Sequence, residues 1–199
     1  MAWRCSASTN SGLISNLFES DIIKSTRVRD AMLSVDRAAY FGAAVDRMVA
    51  YEDSPHPIGH GQTISAPHMH AFALQLLEPY LLPGVSALDL GSGSGYLAAA
   101  MAELVGHTGA VYGVELVKPL FEASLRNLAA DGKESYLRAS AESTPRPRAR
   151  ITLRHGDGSI GWPDASAGPF SAIHVGAAAP RVRACMQYAA YDVQQRIAW

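Results

Sequence analysis

The chain has 199 residues, 48% of them hydrophobic and 18% charged, the balance of a globular protein that can bury a core and not of a disordered chain. Lys+Arg number 17 against 18 Asp+Glu, a net charge of -1 without the basic surplus that a nucleic-acid partner favours. No apolar run approaches the roughly 18 residues of a membrane helix, and two cysteines, Cys5 and Cys185, with no CxxC, exclude a disulfide framework or a zinc knuckle.

The start, Met1-Ala2-Trp3-Arg4-Cys5-Ser6, lacks an apolar signal-peptide core, so a cytoplasmic chain is expected. Residues 10–34 read as helical: Leu13, Ile14, Leu17 and Phe18 share a face, and Ile22, Ile23, Val28, Met32 and Leu33 extend the apolar pattern. Pro55, Pro57, Gly59 and Gly61 make 51–62 a rigid, irregular loop. A helix then starts near Ser65-Ala66-Pro67, where Ser suits the cap and Pro the first turn. Met69, Phe72, Ala73, Leu76 and Leu77 have the spacing of a buried stripe, and Pro79 and Pro83-Gly84 end it.

From there strands and helices alternate. Val85–Leu90 is an apolar strand, Tyr96–Val105 an alanine-rich helix, Ala110–Val114 a strand ending at Glu115, and Lys118–Ala130 a second helix. Ile151–His155 and Phe170–Val175 are two more strands. This order predicts parallel βαβ units and a mainly parallel sheet covered by helices on both faces. Residues 132–149, with Arg138, Arg146, Arg148, Pro145 and Pro147, read as an exposed insertion. A solvated loop is the ordinary meaning of such a charge run, and a site for an anionic partner is the alternative.

The strongest motif is Asp89-Leu90-Gly91-Ser92-Gly93-Ser94-Gly95, between a strand and a helix. Glycines let the backbone turn tightly and approach a ligand, and a helix start offers free N–H groups. Glu115, at the end of the next strand, stands where an acid in an open α/β sheet grips ribose hydroxyls. A dinucleotide fingerprint wants glycine at the third place after Gly93, and that place holds Tyr96. The pattern instead suits a ligand without pyrophosphate and with an amino-acid tail whose ammonium Asp89 can hold; S-adenosylmethionine is such a ligand. An oxidoreductase binding NAD in the same loop is the competing class. Asp157-Gly158, just past the third strand, would lie near the adenine edge; an ordinary turn is the alternative. His68 and His70 point to different faces of one helix, His56 and His60 lie in the loop before, and no carboxylate or cysteine completes a ligand set, so no metal is expected.

The chain resembles the protein-L-isoaspartate (D-aspartate) O-methyltransferase family. The likeness is carried by Ile58-Gly59-His60-Gly61-Gln62-Thr63-Ile64-Ser65-Ala66-Pro67-His68-Met69-His70, Met1-Ala2-Trp3, Ile22-Ile23-Lys24 and Tyr51-Glu52-Asp53-Ser54-Pro55. It continues in Ala87–Gly95, Gly156-Asp157-Gly158 and Ala172-Ile173-His174-Val175-Gly176-Ala177-Ala178-Ala179-Pro180. The resemblance implies a Rossmann-like class I S-adenosylmethionine-dependent methyltransferase fold. It also implies methylation of the free α-carboxyl of L-isoaspartyl residues in damaged proteins. By resemblance Ser65 is the active-site serine, and Gln62, Thr63, Ile64, Ser65, His70, Ser94, Glu115, Leu116, Asp157 and Gly158 fall at cofactor-contacting positions, beside Asp89, Gly91 and Gly93 of the loop. A helix cap remains the alternative for Ser65. The partners expected are isoaspartyl-containing proteins and peptides, with no nucleic acid and no membrane, and a monomer is expected because such substrates need an open cleft.

One methyltransferase domain is expected over 1–199, divided into a helical and substrate-loop part (1–83) and a cofactor-binding part (84–180). After Pro180 the chain departs from the family. The tail 181–199 lacks the helix, glycine turn and fifth strand expected there, so the C-terminal strands are expected to be missing and the fourth strand to be a bare edge. That would leave a weakly stable, weakly active or inactive product. Val182, Cys185, Met186, Ala189, Ala190 and Val193 fall on one helical face that could cover the strand in part.

Overall fold

A computed structural model describes residues 5–42, 46–137, 149–164, 167–177 and 197–198. The apolar repeat over 10–34 is helical as expected, in two helices, α1 (Asn10–Glu19) and α2 (Thr26–Leu33). Thr9 caps α1 by accepting from the Gly12 N–H. The chain turns between them where Asp21 takes a left-handed φ of 56°. The turn lets Leu13, Ile14 and Leu17 pack against Val28 and Met32 in one buried cluster, which a straight helix would not allow. A 3₁₀ turn (Arg37–Tyr40) and the short α3 (Arg47–Ala50) follow.

The expected loop at 51–62 is in part a hairpin. Strand β1 (His56–Gly59) runs antiparallel to β2 (Gln62–Ile64), with Pro57 opposite Thr63 and Gly59 opposite Gln62. His60 and Gly61 both have positive φ, 53° and 68°, the geometry of a two-residue hairpin turn whose twist matches its strands. Helix α4 (Pro67–Leu77) starts one residue later than Ser65 suggests: its N-cap is Ala66, and Pro67 opens the first turn. The expected stripe is also out of phase. Met69, Phe72 and Leu76 are about half exposed or more, and the buried face is His70, Ala71, Leu74 and Leu77, with Ala73.

Strands β3 (Ser86–Leu90), β4 (Ala110–Glu115), β5 (Arg150–His155) and β6 (Ala172–Val175) form the expected parallel sheet, connected by α5 (Tyr96–Val105) and α6 (Lys118–Ala130). The order is β5-β4-β3-β6-β7, with β7 (Ile197–Ala198) parallel to β6 and Ile173 beside Ile197. The bare edge expected at β6 is therefore partnered by two residues of the tail. The expected apolar face of 182–193 lies outside the described residues, as does Cys185.

Alternation along the strands divides the core. Ala87, Val111, Ile151 and Ala172 pack with residues of α1, α2, α4, α5 and α6. Leu88, Leu90, Tyr112, Val114, Ile173 and Val175 face the other side, where Ala167 and Phe170 cover them and Trp162 packs alongside. Helices on both faces are expected from the alternation; among the described residues the second face is covered by Trp162, Ala167 and Phe170 of the segments 156–164 and 167–171. The expected insertion is partly built into the fold. Lys133, Tyr136 of α7 (Glu134–Leu137) and Ala149 are buried, and the Tyr136 hydroxyl donates to Glu103 at 2.6 Å. Arg138, Arg146, Arg148, Pro145 and Pro147 lie outside the described residues. No described helix is long and apolar enough to cross a membrane.

Candidate active site

Chain order reverses beside β3, which has β4 on one side and β6 on the other. Ligands of open α/β sheets bind at such a switch point, beyond the C-terminal ends of the strands. A cleft of about 320 Å³ opens there, within the range of small-molecule sites. Its walls come from the ends of β3 (Leu90, Gly91, Gly93), β4 (Val114, Glu115, Leu116, Val117) and β6 (Val175, Gly176, Ala177). The turn after β5 (Asp157, Gly158, Ser159), Leu120 of α6, and Ile58, Gln62 and Thr63 of the hairpin complete it.

The glycine loop is the strand-to-helix turn expected. Gly91 has a φ of 77°, and a Cβ there would stand 2.9 Å from the Ala177 Cβ, so the β3 and β6 ends close on each other only around glycine. Gly95 caps α5 in the left-handed region, with a φ of 87°. Glu115 is buried, and both its oxygens are engaged: Oε2 accepts from the Gly93 N–H and Oε1 from the Val117 N–H, each at 2.8 Å. A carboxylate oxygen has two lone pairs, so each can still accept a hydroxyl from the cleft. Glu115 thus shapes the loop as well as lining the cleft. Asp157 is both things the sequence allowed, a turn residue whose Oδ1 accepts from the Ser159 N–H at 2.8 Å and a wall of the cleft beside Gly158. Leu116 is an exposed apolar rim.

The remaining candidates do not line the cleft. Ile64 is the inward residue of β2 and belongs to the core. Ser94 is buried in the loop, with its carbonyl accepting from Asn127. Asp89 is buried on the face of β3 away from Leu90, where Oδ1 meets His174 Nδ1 at 2.7 Å and, among the described residues, Oδ2 has no partner.

Ser65 follows β2 directly and is half buried. Its carbonyl accepts from Arg37 Nη2 at 2.7 Å, while among the described residues its hydroxyl has no hydrogen-bond partner. Arg37 is fully buried and has no carboxylate ion partner among the described residues. Its Nε donates to the Ala50 carbonyl and its Nη1 to His70 Nδ1, so one guanidinium links the segments before and after the hairpin to α4. Burial lowers its pKa to about 10, which leaves it charged at neutral pH. His70 is buried behind Ser65, against Tyr96 at 4.9 Å between ring centroids. Burial first, then the Arg37 cation, then His174 and His68, hold its pKa well below the ordinary value, so its ring is neutral with the proton on Nε2. Tyr96 is pushed up to about 12, chiefly by burial.

Arg37, Asp53 and His174, which motif reading assigned no role, contact Ser65 and His70, His68, and Asp89 in turn. Arg37 gives no sequence signal: an Arg beside Asp36 in a turn has the appearance of a surface charge. Asp53 and His174 lie inside family-like segments, but their contacts cross the fold. Among the described residues no three His, Cys, Asp or Glu side chains are grouped to hold a metal ion.

The sequence profile of the family described as protein-L-isoaspartate(D-aspartate) O-methyltransferase (PCMT) matches residues 8–187. A protein-L-isoaspartate O-methyltransferase of Caenorhabditis elegans is 44% identical over 92% of this chain and 73% of its own length. Protein-L-isoaspartate O-methyltransferase 1 of Arabidopsis thaliana is 42% identical over 89% and 71%. A crystal structure from Plasmodium falciparum, assigned as a protein-L-isoaspartate O-methyltransferase and bound to S-adenosyl-L-homocysteine, superposes with a TM-score of 0.77 at 34% identity, covering 92% of this chain and 80% of that one.

Proposed function

The chain belongs to the protein-L-isoaspartate(D-aspartate) O-methyltransferase family, and we propose that it transfers a methyl group from S-adenosylmethionine to the free α-carboxyl of L-isoaspartyl residues in damaged proteins. One observation carries this reading: Ser65, with an uncommitted hydroxyl, leaves the same β2 strand whose Gln62 and Thr63 wall the cleft. An acceptor position and a ligand cleft therefore share one short strand.

The residues present suit the cofactor. Glu115 retains lone pairs for ribose hydroxyls, and Asp157 with Leu116 offers a polar and an apolar contact for adenine. Asp89 stands behind the cleft wall, where its carboxylate favours an ammonium group on the cleft side without touching it. Gln62, Thr63, Gly91, Gly93 and Gly158 supply walls with little bulk or with polar edges. Ile64, His70 and Ser94 act from the layer behind, by holding the hairpin, α4 and the loop in place.

S-adenosylmethionine, when bound, supplies an already activated sulfonium methyl. The acceptor carboxylate is ionised at neutral pH, so neither a strong base nor a metal is required of the protein. What the chain must do is hold the carboxylate oxygen in line with the methyl, which is catalysis by positioning. Ser65 can donate its hydroxyl to that carboxylate, and the start of α4 favours a negative charge beside it. The enzyme is read as a cytoplasmic monomer acting on proteins and peptides, without nucleic acid or membrane; the net charge of -1 supports the exclusion of nucleic acid. Calorimetry tests the cofactor assignment. S-adenosylhomocysteine is expected to bind and NAD to give no heat; heat with NAD alone would overturn it.

A further inference from the structure

Helix α4 begins with an N-cap residue, Ala66, that has no side-chain acceptor. The first N–H groups of a helix have no acceptor within it and take one from side chains, water or a ligand. Were Ser65 the N-cap, its hydroxyl would reach for the second or third helical N–H, which are those of Pro67 and His68. Proline has none, so the His68 N–H is the donor over which Ser65 would compete. That N–H is already taken. Asp53 Oδ1 accepts it at 2.9 Å, and the same oxygen meets His68 Nδ1 at 2.8 Å. Asp53 is buried, and its backbone N–H is fixed in turn by Ser6 Oγ at 2.9 Å.

We propose that Asp53 is a positioning residue that supplies the cap of α4 from a distance and so keeps the Ser65 hydroxyl free for the substrate carboxylate. The inference rests on the function proposed above and extends it to a residue outside the cleft. Asp53 touches neither ligand; capping would use only a lone pair of Ser65 Oγ and leave its O–H able to donate, so Asp53 acts by pre-empting the N–H that would turn Oγ toward the helix and away from the acceptor. Arg37 completes the arrangement from the other side by holding the Ser65 carbonyl, so the backbone is fixed while the hydroxyl stays uncommitted. Asparagine at 53 keeps an acceptor oxygen for His68 and should keep the function; alanine should lose it.

A double-mutant cycle tests the coupling, since residues acting through one another give non-additive losses. Asp53→Ala is expected to lower kcat on an isoaspartyl peptide by tenfold or more while leaving S-adenosylhomocysteine affinity within about threefold, the loss expected for a hydrogen bond to a charged group. In a Ser65→Ala background the same substitution should change kcat little, and Asp53→Asn should restore most of the turnover. Equal losses in both backgrounds would overturn the proposal. Thermal melts of Ser65→Ala keep it testable if Asp53→Ala does not fold. Ser65→Ala should melt with the wild type, because Ser65 caps nothing; a lowered melt would overturn the proposal. A wild-type protein without isoaspartyl activity would count against the proposed function alone, and the melts would still decide who caps α4.

Discussion

Glu115 shows how one side chain joins the glycine loop to the cleft. Its two oxygens already hold the Gly93 and Val117 N–H groups, so Glu115→Ala should cost more than a ribose contact. Hydrogen bonds to a charged group are worth about 1.5–3 kcal/mol, and the expected outcome is at least a tenfold loss of S-adenosylhomocysteine affinity by calorimetry. His70 gives a pH signature. Its folded pKa is lowered by burial and then by Arg37, so the unfolded chain binds the proton more readily. The contribution of the neutral ring is fully present above about pH 6.5 and is lost as pH falls below that value. Melts of the wild type should therefore fall more steeply from about pH 6.5 to 5 than those of His70→Gln. The glycine loop and Glu115 were legible because their chemistry is written in adjacent residues and one strand end. Arg37 and Asp53 were not, because their partners lie 28 and 15 residues away along the chain.

The elements divide in the same way. The buried strands and α5 and α6 announce themselves as apolar runs punctuated by glycine, and they form where expected. The hairpin β1–β2 was hidden because Pro57 and Gly59 are loop signals, whereas here two positive-φ residues make the turn. The α4 stripe was misphased because alanines and His70, not the bulkier Met69, Phe72 and Leu76, face the core. At this scale the Gly91 turn is the sharpest test. Alanine there must hold a left-handed φ, at about 1–3 kcal/mol, and also move Ala177. Gly91→Ala should weaken S-adenosylhomocysteine at least about tenfold by calorimetry, while Gly132→Ala, equally left-handed at a φ of 70° but outside the cleft and with nothing within 4 Å of an added Cβ, should cost stability and spare affinity.

The whole molecule brings a parallel sheet, its switch point and a serine-bearing hairpin to one end. The alternation of strands and helices made the sheet legible, and β7 beside β6 was not, because two residues carry no periodic signal. A ligand that binds only the folded state raises stability by mass action, so at about a hundredfold excess over its Kd S-adenosylhomocysteine should add about 2.7 kcal/mol and raise the melting temperature. The central claim is methyl transfer to isoaspartyl carboxylates. Its most direct test is methyl transfer by the purified 199-residue chain to two peptides identical except for L-isoaspartate or ordinary aspartate at one position. Methyl ester should form on the isoaspartyl peptide alone and depend on S-adenosylmethionine. No transfer to either peptide, or equal transfer to both, would contradict the account.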